Sequence, residues 1–274
     1  MTFSSNVLSI ECDGPVGILW LDRPEKRNAM SQEMWIGFPA AISELTKNPD
    51  IRVVVIAGRG KSFCSGLDIS SVGEAPAQSP PPSGAIANLR QLEVTRSFQD
   101  GISAIANCPV PVIAAIHNHC VGAGIDLITA CDIRLASADS IFSVRETRIG
   151  IVADVGTLQR LPDIVSAGHV AELAYTGKDF DAAHAEKIGL VNNVYPDVEA
   201  VQAAAMKLAS EIAANPPLAV RGTKFVLQQS ENLTKEQSLL LNGLWTMATT
   251  LNSNDFMEAV GAFMEKRAPN FTGT

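Results

Sequence analysis

Two short and nearly unbroken apolar runs, residues 51–57 and 109–116, stand out in a chain whose other apolar residues recur mostly at helical spacing. Runs of that length with so little polar surface predict buried strands of the parallel kind. Residues 16–21 read as a further strand, ended by the turn Asp22-Arg23-Pro24. Met34, Phe38, Ile42 and Leu45 share one face of a helix predicted over 32–46, with Ser31 as its cap and Asn48-Pro49-Asp50 as its stop. A second long helix is expected over 86–107. Residues 117–124 read as a turn that opens a helix over 125–131, followed by short strands at 133–136 and 141–143. Helical character returns over 182–189 and a strand over 190–194. Beyond Pro196 the pattern predicts helices alone, over 198–214, 218–229, 234–251 and 255–266. Strands alternating with helices, then helices only, give an α/β core with a helical C-terminal module. Residues 70–84 carry Pro76, Pro80, Pro81 and Pro82 and are expected to form a mobile loop or lid that shapes a pocket.

Composition narrows the function classes. Of 274 residues, 46% are hydrophobic and 18% charged, a globular profile that suits one domain with a helical appendage. The net charge of −8 repels nucleic acid over most of the surface but leaves room for a local basic pocket for an anionic ligand. Cys12, Cys64, Cys108, Cys120 and Cys131 are odd in number and lack CxxC spacing, so free thiols in a reducing compartment are expected, and no metal site. No apolar stretch approaches the ~20 residues that span a bilayer. The first residues lack a leader pattern, and Thr272-Gly273-Thr274 is not a Ser-Lys-Leu address. The expectation is a soluble cytoplasmic protein with no membrane or nucleic-acid partner.

Two glycine turns are candidates for chemistry. Ser65-Gly66-Leu67-Asp68 follows the strand at 51–57, and Gly122-Ala123-Gly124 opens a helix. Glycine lets backbone approach a ligand closely, and N–H groups at a helix start lack partners. Two such turns side by side would offer two donors to one oxygen, which is what an enolate formed from a thioester requires. Three carboxylates follow. Asp126 lies in the first turn of that helix, Glu146 comes 20 residues later, and Asp154 a further eight, inside the apolar stretch 149–153. An acid in such a stretch is expected to be partly buried, which would raise its pKa toward neutrality. Singly, each has a plainer role: Asp126 at a helix dipole, Glu146 in a salt bridge with Arg145, Arg148 or a distant base, Asp154 as an N-cap before Gly156. Their grouping beside the turns favours catalysis. Gly60-Lys61-Ser62 lacks the earlier glycine of a phosphate loop, Gly122-x-Gly124 lacks the third glycine of a dinucleotide fingerprint, and His117, His119 and Cys120 have no ligand spacing.

At these residues the chain resembles the crotonase (enoyl-CoA hydratase/isomerase) superfamily. Residues 21–29, 62–68, 111–116 and 130–134 and the Gly189-Leu190-Val191 turn carry the likeness, which covers nearly the whole chain. It implies an α/β, ClpP-like spiral of ββα units over residues 1–197 that holds an acyl-CoA site. Residues 198–274 would be a helical trimerisation module, giving a homotrimer or a hexamer made of two trimers. The implied oxyanion donors are the N–H groups of Leu67 and Ala123. Alanine stands where glycine is usual and would be strained at positive φ. The implied substrate contacts are Lys26, Arg27, Asn28, Ala29, Ser65, Gly66, Leu67, Asp68, Ile69 and Gly122, with Phe263 and Lys266 reaching in from the C-terminal module. Coenzyme A would be part of the substrate, and no separate cofactor is implied.

Hydratases carry two glutamates at the positions of Asp126 and Glu146 and usually a small residue at that of Asp154. Asp126, Glu146 and Asp154, with the run 153–162, are similar instead to the dienoyl-CoA isomerases. That resemblance implies conversion of a 3,5-dienoyl-CoA to a 2,4-dienoyl-CoA in fatty-acid β-oxidation. Glu146 would act at C2 and Asp154 at C6, with Asp126 orienting or polarising. The alternatives are an enoyl-CoA hydratase and, less favoured, a non-catalytic acyl-CoA-binding or RNA-binding relative.

Overall fold

Every side chain of the run Val53–Gly58 is buried, so its two faces need separate cover. In the computed structural model, which describes residues 3–71 and 83–274, this run is β3 of a six-stranded sheet. The strands are β1 (Leu8–Asp13), β2 (Val16–Leu21), β3, β4 (Val112–Ile116), β6 (Ile133–Ser137) and β9 (Asn193–Tyr195), in that spatial order. Only β1 runs antiparallel to its neighbour. Successive side chains alternate between faces. Val54, Ile56, Val112, Ala114 and Ile116 join α1 (Gln32–Lys47) and α2 (Gly84–Ala106) in the main core. Val53, Val55, Ala57, Ile113 and Ala115 meet Val201, Ala205, Ala209 and Ala213 of α7 (Val198–Ala213). Each fully buried aliphatic of this kind contributes roughly 1.5–3 kcal/mol. The small alanine stripe lets α7 lie close to the sheet, so this first helix beyond residue 197 is a layer of the α/β core.

A second, three-stranded sheet holds β5 (His119–Val121), β7 (Ile141–Ser143) and β8 (Phe180–Asp181). Three short helices, α3 (Ala123–Thr129), α4 (Thr157–Arg160) and α6 (Ala182–Lys187), flank it together with α5 (Ala167–Thr176). The chain ends in α8 (Pro217–Ser230), α9 (Lys235–Ala248) and α10 (Asn254–Glu265).

Most predicted elements fall within a few residues of these bounds, and Ser31 caps α1 by accepting from the Met34 N–H. The exceptions are local. The segment read as a turn at 117–124 contains β5, whose three residues are too few to show a period. Strand β8, with two residues, and helices α4 and α5 are also absent from the sequence reading. Strand β1 was missed although Leu8 and Ile10 alternate with polar neighbours. The proline-rich segment read as a lid lies almost wholly outside the described residues. Among the described residues no helix is long and apolar enough to cross a membrane.

Candidate active site

Strand pairing in the small sheet assembles the site. β5 runs parallel to β7, and the ladder continues as the Gly122 N–H donates to Ser143 O at 2.8 Å. Glu146, three residues past β7, is thereby set beside the start of α3. Gly122 makes the turn into that helix at φ +51° and ψ −111°, and a Cβ there would lie 3.3 Å from Glu146 Oε1. The positive φ belongs to Gly122, and Ala123 is the first helical residue, so the alanine carries none of the strain foreseen for it.

The other glycine turn is tied to the same strand. The Cys64 N–H donates to His119 O at 2.8 Å, and Cys64 O accepts from the Val121 N–H at 3.1 Å. Met30 then bonds on either side of Leu67, donating to Gly66 O and accepting from Asp68 N–H. This bridge leaves the Leu67 N–H on the side away from Met30. Gly66 sits at φ +101°, where a Cβ would press on Val121 O at 3.2 Å. The two turns therefore lie side by side.

They open onto a cavity of ≈ 410 Å³ whose walls include Ser65, Gly66, Leu67, Ile69, Gly122, Ala123 and all three carboxylates. A larger hollow of ≈ 810 Å³ beside α8 holds none of the three. Trp35 and Phe98 form one wall of the smaller cavity, stacked at 5.4 Å between centroids. Gly101 allows this contact, because a Cβ there would stand 2.3 Å from Trp35 O.

The carboxylates differ in setting. Asp126 is 3% exposed within a wholly buried α3. Its Oδ1 accepts from the Thr157 N–H at 2.8 Å and from Thr157 Oγ1 at 2.7 Å, so it caps α4 from outside. Burial pushes its pKa up to about 7, against the pull of the Thr157 hydroxyl and with added repulsion from Glu146. Glu146 is 8% exposed, and its Oε2 is buried without a hydrogen-bond partner. Burial raises its pKa, and the Asp154 charge raises it further. The expected salt bridge is not formed, since Arg145 pairs with Asp179 and Arg148 donates to Thr176 O.

Asp154 departs from expectation. It is exposed, not partly buried, because Ile149, Ile151 and Val152 are themselves exposed. That apolar stretch is the rim of the cavity and not a core strand, and Ile149 and Ile151 line it. Asp154 is not an N-cap either, since Gly156 occupies that position of α4.

The remaining predicted contacts divide. Asn28 is fully buried at φ +55°, accepting from Arg23 N–H and donating to Arg59 O and Ser62 O at 2.8–2.9 Å. Asp68 accepts from Ser70 and Arg23, which hold its pKa down at about 2. Both side chains are thus engaged in building the loop. Ser65 joins this loop to the neighbouring backbone at Lys26 and Arg27. Lys26, Arg27 and Ala29 are outside the cavity lining, as are Phe263, which is 82% exposed on α10, and Lys266. Sequence reasoning did not find Trp35, Thr95, Phe98 or Arg145, which also line the cavity, nor the role of Thr157. Gln91, Thr95 and Phe98 follow i, i+4, i+7 spacing, a signal that one face of α2 is shared.

Similarity to known proteins runs along almost the whole chain. A peroxisomal Delta(3,5)-Delta(2,4)-dienoyl-CoA isomerase of Arabidopsis thaliana is 43% identical over 94% of this chain and 93% of its own. A mitochondrial protein of the same name from Dictyostelium discoideum is 40% identical over 93% and 87%. The crystal structure of a putative enoyl-CoA hydratase from Streptomyces coelicolor superposes with a TM-score of 0.89 at 31% identity, covering 98% of this chain and 94% of that one. The expectation of a cytoplasmic protein is corrected by these relatives, whose names place them in the peroxisome or the mitochondrion. The family described as enoyl-CoA hydratase/isomerase matches residues 11–274, and the chain belongs to it.

Proposed function

We propose that the protein isomerises 3,5-dienoyl-CoA to 2,4-dienoyl-CoA, as a step in breaking down unsaturated acyl chains. One observation carries the reading: a single cavity joins two buried carboxyls, a third exposed one, and the backbone of two adjacent glycine turns. Water addition needs only two carboxylates at one carbon pair. A third acid suits a reaction whose protons leave and arrive four carbons apart.

In this reading the thioester oxygen sits between the N–H groups of Leu67 and Ala123. Ionised Glu146 removes a proton from C2, and its partnerless Oε2 is the free acceptor. The electron pair spreads over the dienolate and onto the thioester oxygen, which the two amides stabilise. Asp154 delivers to C6 a proton it has taken up from water, and the double bonds move to C2 and C4. Glu146 ends protonated and Asp154 ionised, and exchange with water restores both. Asp126, fixed through Thr157 and with its pKa raised by burial to about 7, takes up a proton far more readily than an ordinary carboxylate and so lessens the negative charge buried beside Glu146.

The coenzyme A arm would run along Lys26 to Ala29 and Ser65 to Ile69. Phe263 and Lys266, remote from this cavity within one chain, would serve a neighbouring subunit. Exposed Leu240, Leu244 and Met247 of α9 and Met257, Phe263 and Met264 of α10 suit burial against another copy of the chain, and a homotrimer or paired trimers is the assembly that the family resemblance implies. Purified protein should convert a 3,5-dienoyl-CoA and leave crotonyl-CoA nearly unhydrated. Turnover of crotonyl-CoA alone would establish the hydratase reading instead.

A further inference from the structure

The three carboxylates are not held alike. Asp126 sits in a helix and Glu146 begins a 3-10 turn, whereas residues 151–156 belong to no helix or strand. This segment needs an anchor from elsewhere if Asp154 is to hold a fixed place over C6. The anchor is on α2. Gln99 Nε2 donates to the backbone oxygen of Asp154 at 2.7 Å. One residue further, Arg160 reaches Val155 O at 3.5 Å and Ser103 Oγ of α2 at 3.2 Å, a second and weaker tie. Gly156, at φ +129°, gives the Arg160 guanidinium its path, since a Cβ there would lie 1.8 Å from Arg160 Nη1.

The neighbour of Gln99 on the same helix is Phe98, whose ring is part of the cavity wall against Trp35. One turn of α2 therefore both seats the acyl tail and sets the backbone of the acid at its end. We infer that Gln99 is a positioning residue for Asp154, holding that carboxyl in line with C6 of the bound tail, an inference that rests on the isomerase reading. Gln99 itself lies outside the cavity lining, so it acts through Asp154 and not on substrate. Proton transfer tolerates little misplacement: about 1 Å can cost on the order of 100-fold in rate.

The test separates the two proton transfers. The full-length protein and its Gln99→Leu variant, which keeps side-chain size and loses the donor, are given 3,5-dienoyl-CoA in D2O. Washout of the C2 hydrogen into solvent reports Glu146, and deuterium at C6 of the product reports Asp154. The expected result for Gln99→Leu is a kcat for product lowered roughly 10-fold, with KM, C2 washout and melting temperature close to the wild type. Unchanged product formation, or C2 washout falling in step with C6 delivery, would overturn the inference. A KM rise without loss of kcat would do the same. Failure of the wild type to show either washout or product would instead strike down the isomerase reading, and this inference with it.

Discussion

Asp126 and Asp154 are the same residue type, 28 positions apart and lining one cavity, yet the fold treats them in opposite ways. Asp126 is enclosed by α3, bonded twice to Thr157 and pushed up to about 7 by burial. Asp154 is exposed on an irregular segment and fixed by its backbone. A closed acid tunes the charge of the site, while an open one exchanges protons with water. The proton shuttle proposed above needs both, because the group proposed to deliver at C6 must be reloaded.

Removing either acid proposed to move a proton should have the largest effect. Asp154→Asn should lower kcat for the dienoyl substrate by roughly 10³-fold, as for loss of a general acid, while acyl-CoA affinity by calorimetry stays within a few-fold. Glu146→Gln should be at least as damaging and should also abolish C2 washout.

Disturbing the closed side should act more gently and through pH. A carboxyl whose folded pKa is raised contributes stability that is complete below its unfolded value and is lost as pH rises through the folded value. For Asp126 that window runs from about 3.8 to about 7. Asp126→Asn, neutral throughout and still able to accept from Thr157, should match the wild type near pH 4. Thermal unfolding should find it more stable at pH 8, by up to about 4 kcal/mol. No pH dependence of the difference would place the Asp126 carboxyl in a solvated setting, and the opposite slope would mean that the fold stabilises its charged form. Activity has its own sign: Glu146 must be ionised to accept the C2 proton, so kcat/KM should rise with pH through a limb displaced above the ordinary carboxylate range.

Thr157→Val should be smaller again. Loss of one hydroxyl donor to Asp126 costs about 1–2 kcal/mol in urea unfolding, with a modest fall in kcat. Loss of stability with kcat unchanged would leave Thr157 a capping role only; a fall in kcat beside it points to the charge balance of the site.

The contrast also marks what the sequence makes legible. β3 and β4 were readable because fully buried parallel strands leave an unbroken apolar run. The Ser31 cap and the i, i+4 stripe of α1 were readable because both are local. The three carboxylates and the two glycine turns were found through their grouping and family likeness. The setting of Asp154 was misread because an apolar run looks the same whether it fills a core or rims a cavity. Thr157 and Gln99 were passed over because their partners lie 31 and 55 residues away, set by packing that no local pattern encodes. β5 was hidden by its length, and its pairing with β7 is what brings Glu146 to Ala123.

The most direct measurement locates the hydrogens. With 3,5-dienoyl-CoA in D2O, wild-type product should carry deuterium at C6, and Asp154→Asn should retain C2 washout while forming almost none of that product. Product formed at the wild-type rate by Asp154→Asn would contradict the division of labour between the buried and the exposed acid.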